Sequence, residues 1–166
     1  MGRRFLLTAH VTLSVGWIGA VCVFLALAGI GLTSQSPNTV RGAYLVMERA
    51  AWLALVPFAF ASLLSGVVVS LTTPWGLFRH YWVVFKLLIT AFATVVLMIY
   101  METFRHMADA AGDPTARLET IRNPSPLVHA VLALLILLVA TVLAIYKPQA
   151  VTPYGRRKQN EERLAG

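Results

Sequence analysis

Residues 5–32 read FLLTAHVTLSVGWIGAVCVFLALAGIGL, 28 residues without a single Asp, Glu, Lys or Arg. A helix crossing a hydrocarbon core of about 30 Å needs roughly 20 apolar residues, because every backbone amide must find its partner inside the segment. This stretch is long enough to span. Three more follow: Ala50 to Leu71, Tyr81 to Met101 with Lys86 as its one charge, and Pro126 to Tyr146. With their flanks, the spans are expected at about 5–32, 44–71, 81–106 and 126–146, forming one transmembrane domain over 1–147 ahead of a basic tail at 148–166. The fold class is an all-α integral membrane bundle of four antiparallel helices.

Composition agrees. The 166-residue chain is 58 % hydrophobic and 13 % charged, and its mean hydropathy is +0.72. Soluble domains carry about a quarter charged residues. With so short a chain given over to spans, no separate soluble catalytic domain fits.

The net charge of +7 would suggest nucleic acid in a soluble protein, but its distribution has a simpler cause. With the amino terminus inside, the inner side carries Arg3, Arg4, Arg79, Lys86, Lys147, Arg156, Arg157, Lys158 and Arg163 against only Glu161 and Glu162. On the other side Arg41, Arg49, Arg105, Arg117 and Arg122 are balanced by Glu48, Glu102, Asp109, Asp113 and Glu119. This positive-inside asymmetry places both termini in the cytoplasm. The tail, with Arg156, Arg157 and Lys158 beside the membrane, reads as a contact for anionic headgroups, and the expected partner is the lipid bilayer with no nucleic acid.

Cys22 stands alone in the first span, so no disulfide forms within one chain. The apolar run after Arg3 and Arg4 exceeds the roughly 7 to 15 residues of a signal peptide core and reads as a retained span. Pro57 removes a backbone donor inside the second span and predicts a bend. Ser62, Ser65, Gly66 and Ser70 give that span a small-residue face suited to close packing. Trp75, Tyr81 and Trp82 read as interfacial anchors, and a short amphipathic piece is expected around Thr115 to Ile121. Gly16, Gly19 and Gly29 to Gly31 leave room for a homodimer or another membrane partner.

Ionisable groups inside spans are costly and call for a reason. His10 and Lys86 each lie about four residues into helices running the same way, so both sit roughly 6 Å below the same boundary. His10, Ser14, Trp17 and Val21 form one helical stripe; Lys86, Thr90, Thr94 and then Met98 or Met101 form another. A bundle can hold haem between such faces with histidine or methionine as axial ligand. The alternatives are an interhelical hydrogen bond from His10 to a serine or threonine, and snorkelling of Lys86 to the headgroups.

A second polar centre lies at the other helix ends. His106 and His129, with Glu48, Met47 or Met101 nearby, are candidate ligands for copper or haem iron. The alternative is a network tying helix ends together, with Glu102 at helical spacing from Arg105 and His106. His10 and His129 differ in level by roughly 20 Å of a 30 Å core, so they cannot share one iron. No P-loop, dinucleotide fingerprint, zinc-protease or paired-cysteine motif is present.

The segments TAHVTLSVGWIGAV (8–21) and RHYWVVFKLLIT (79–90) resemble bacterial four-span membrane proteins without an assigned activity. More distantly, they are similar to the copper-resistance D and HemJ group. HemJ-type proteins bind haem and are associated with protoporphyrinogen oxidation. The resemblance implies a bacterial cytoplasmic membrane, His10 as the first-helix histidine and Lys86 as the basic residue opening the third. In the deeper part of that helix Leu97 and Met98 stand where the HemJ pattern has a second histidine. The leading expectation is a haem b redox protein with His10, Lys86, Trp17 and Met98 at the cofactor. Copper handling at His106, His129 and Glu48 is the alternative, and a cofactor-free assembly subunit is the third reading.

Overall fold

The computed structural model describes residues 2–164. Helix α1 covers Gly2–Thr33; α2, Pro37–Ala50, continues through a π-helical turn at Ala51–Leu55 into α3, Val56–Leu71. Helix α4 covers Tyr81–Gly112, α5 Leu118–Ile121, α6 Ser125–Tyr146 and α7 Pro153–Leu164. Four stretches, Gly2–Thr33, Pro37–Leu71, Tyr81–Gly112 and Leu118–Tyr146, are long and apolar enough to cross a membrane. Leu53, Phe92, Ile99 and Ile145 point outward among many other exposed hydrophobics. Such a surface suits lipid rather than water.

Short connections make consecutive spans antiparallel neighbours. Helix α1 packs on α2 and α3, these pack on α4, α4 on α6, and α6 closes the ring on α1. One end of the bundle therefore holds the start of α1, the 72–80 connection and the end of α6; it is called the terminal end here. The other, the loop end, holds residues 34–36 and 113–124.

The core follows helical spacing. Trp17, Val21, Phe24 and Ala28 of α1 meet Tyr44, Met47, Ala51, Leu55 and Ala59 of the second span and Tyr100, Phe104, Met107 and Ala111 of α4. Phe24 and Phe104 cross the ring edge to face at 5.5 Å. Both α2 and α4 run past the apolar windows at the loop end, where Arg41 donates to the carbonyls of Ala111 and Ala116 at 2.9 and 2.6 Å and also to that of Asp113. It thereby satisfies carbonyls that the end of α4 leaves open. Tyr44 Oη accepts from the Asn123 amide at 3.1 Å, fastening the last connection over the bundle.

The irregularity expected at Pro57 takes the form of the π turn just before it, where Val56 N–H bonds to Ala51 O. A proline supplies no donor, and one wider turn lets the helix continue past it.

The tail is fastened rather than free. Tyr81 N–H bonds to Ala150 O and Thr152 N–H to Arg79 O, at 3.2 and 3.0 Å, and Thr152 Oγ1 donates to Phe78 O at 2.6 Å. The same hydroxyl accepts from Gly155 N–H at 3.0 Å, capping α7. Arg79 pairs with Glu162. Gly155 is required here, because a Cβ would overlap the Arg79 carbonyl oxygen.

Candidate functional site

At the terminal end the small-residue face of α3 lets α1 come close. A Cβ on Gly66 would stand 3.0 Å from His10 Cε1, and one on Gly16 would meet Phe58 at 2.7 Å. Gly16 thus serves contact with α3, whereas nothing lies within 4 Å of a Cβ on Gly19. His10 is buried, with 7 % of its surface exposed.

Both of its ring nitrogens are engaged. Ser65 Oγ donates its proton to Ser62 O at 3.1 Å, so towards the ring it acts as an acceptor, 2.9 Å from Nδ1. Nδ1 therefore carries the imidazole proton and Nε2 presents its lone pair. Lys86 Nζ, reaching across the ring from α4, donates to that lone pair at 3.3 Å. Beside this chain Ser14 and Ser62 share a hydrogen bond of 2.8 Å. Lys86 is turned inward rather than snorkelling, and among the described residues no carboxylate lies within ion-pair distance of it. Thr90 and Thr94 bond back to Lys86 O and Thr90 O of their own helix, both at 2.9 Å, and add nothing to the pair. Met98 stays outside this group, with 37 % of its surface exposed.

At the loop end the expected partners separate. The His106 side chain is 69 % exposed and bonds to Glu102 at 3.2 Å, with Arg105 3.7 Å from the same carboxylate. This is the helix-end pairing expected from the spacing. Glu48 lies along a polar groove with Arg49, Arg105 and Asp109. His129 instead stacks on Tyr100, centroids 4.1 Å apart and planes at 28°. Since His106 is six residues beyond Tyr100, roughly 9 Å along α4, the two histidines are not brought together. Among the described residues no group of three or more His, Cys, Asp and Glu could hold a metal. Met47 and Met101 belong to the core.

His129 sits on a feature that sequence reasoning missed. A cavity of about 240 Å³ opens between α1, α4 and α6, walled by Trp17, Phe24, Phe92, Leu97, Tyr100 and Phe104 among others, with His129 at its edge. Leu55, the last residue of the π turn, also lines it. His129 Nδ1 lies 2.9 Å from Ser125 O. Ser125 Oγ also lies 3.3 Å from Nδ1, but the carbonyl is the closer partner and only accepts, which assigns the ring proton to Nδ1 and the lone pair to Nε2. Among the described residues Nε2 has no hydrogen-bond partner. Tyr100 spends its own proton on Ser125 Oγ at 2.8 Å. The signal available in the sequence was Ser125 one turn before His129, at i and i+4 on the same helix face.

No known family, curated protein or solved structure matches this chain.

Proposed function

We propose that this chain is a multi-pass protein of a bacterial cytoplasmic membrane, with both termini inside, that binds a lipophilic molecule in the cavity at His129. The charge asymmetry supports the orientation. One observation carries the binding reading: an imidazole nitrogen without a partner at the edge of an aromatic-walled cavity. Apolar cavities with a few convergent polar groups are where small molecules bind. At about 240 Å³, this one is below the roughly 300–1,000 Å³ typical of drug-sized ligands. A single ring system matches that space more closely than a porphyrin macrocycle.

Haem b is the second reading, and one observation favours it: Lys86 lies between the spans without a carboxylate, as a partner for a propionate would. Against it, the His10 nitrogen that would meet iron is taken by Lys86. The test is to purify the protein in lipid nanodiscs, identify co-purifying lipophiles by mass spectrometry, record oxidised and dithionite-reduced spectra, and analyse metals on the same sample. A small lipophile depleted in His129→Leu is the expected result. A Soret band lost in His10→Ala would establish the haem reading instead. Stoichiometric copper would move the function to metal handling, and a blank on all three would leave an assembly subunit.

A further inference from the structure

The polar edge of the cavity presents a vacant acceptor, and this favours one kind of guest. The donors of His129 and Tyr100 are already committed: His129 Nδ1–H to Ser125 O at 2.9 Å and Tyr100 O–H to Ser125 Oγ at 2.8 Å. The vacant group, His129 Nε2, is an acceptor. A ligand offering only a carbonyl or ether oxygen would leave that lone pair without a partner. A ligand offering a hydroxyl would find its partner.

The walls set the rest. Trp17, Phe24, Tyr100 and Phe104 line the space, and aromatic side chains favour an aromatic guest through offset and edge-to-face contacts. Two fused rings are of the scale of a space of about 240 Å³. The geometry points to a ring-bearing lipophilic alcohol or phenol as the ligand class, its hydroxyl donating to His129 Nε2 and its rings among the cavity aromatics. This inference rests on the cavity reading above and narrows it.

The deciding contrast needs no mutation. In wild-type protein in nanodiscs, equilibrium dialysis against protein-free nanodiscs compares 2-naphthol with 2-methoxynaphthalene, two probes differing by the hydroxyl proton. A net hydrogen bond of about 1 kcal/mol corresponds to roughly five- to tenfold tighter binding of the naphthol. In His129→Leu, checked for folding by its melting transition, the two probes should bind alike. Equal, saturable binding of both probes to wild type would overturn the hydroxyl inference while leaving the cavity reading standing. Absence of saturable binding by either would overturn both. A preference for naphthol that survives in His129→Leu would remove His129 from the assignment.

Discussion

His10 and His129 lie in the spans of one bundle, near opposite ends, and their surroundings use them differently. His10 is closed on both sides: Ser65 takes one nitrogen and Lys86 the other. His129 is closed on one side only, by Ser125 O, and its other nitrogen stands beside a cavity. Both have the same tautomer: Ser125 O can only accept from His129, and Ser65 Oγ, its own proton spent on Ser62 O, accepts from His10. The difference teaches that a histidine's place in a span does not by itself make it available. His10 joins three helices and His129 orients one open nitrogen.

That contrast predicts unequal costs. His10→Ala leaves the Ser65 hydroxyl without its ring donor and Lys86 without its acceptor between the spans, and should destabilise the bundle by about 2–4 kcal/mol in detergent unfolding. His129→Leu gives up the bond to Ser125 O near a helix end and the stacking on Tyr100 and should cost about 1–2 kcal/mol, while abolishing the ligand preference. Equal costs for the two would break the comparison. Lys86→Met should cost clearly less than His10→Ala, because deleting the ammonium also deletes the expense of holding it away from water. A loss as large as that of His10→Ala would mean that the charge itself is required.

Smaller effects sharpen the same division. Gly66→Ala puts a methyl 3.0 Å from His10 Cε1, and about 1–3 kcal/mol is expected for the forced shift, with naphthol binding unchanged. Thr152→Val removes the hydroxyl that both caps α7 and bonds Phe78 O. It should cost about 1 kcal/mol and expose residues 148–164 to limited proteolysis, again without effect on the cavity. Last comes Asp113, whose carboxylate is held below its ordinary value of 3.8 first by the Thr115 hydroxyl, then by the Thr115 amide. A depressed pKa contributes stability that is present above the unfolded value and lost as pH falls through the folded one. Asp113→Asn should therefore flatten only the acid limb, below about pH 4, and leave both histidine ends alone.

Much of this was legible in the residues. Four long apolar helices, the common level of His10 and Lys86, and a serine as the alternative partner for His10 all follow from counting along the chain. Met98 shows why counting also misleads. Steps of four along an α-helix each drift by about 40°, so Met98, three steps from Lys86, lies about 120° round the helix, on the outer surface. Met101 returns towards the interior and is buried, with 5 % exposed. The separation of His106 from His129 depends on how α6 is rotated against Tyr100, a property of the packed pair rather than of either sequence. The fastening of the tail is backbone pairing between residues 78–81 and 150–152, which leaves no side-chain pattern to read. The cavity is a gap between three helices and has no signature in any one of them.

The most direct test is nitrogen-15 NMR of histidine-labelled protein in lipid, with resonances assigned by His10→Ala and His129→Leu, followed during titration with 2-naphthol. The account predicts that both rings carry their proton on Nδ1 and that only His129 Nε2 shifts as the probe is added, while His10 stays fixed. Movement of His10 instead, or a His129 ring protonated on Nε2 alone, would contradict it.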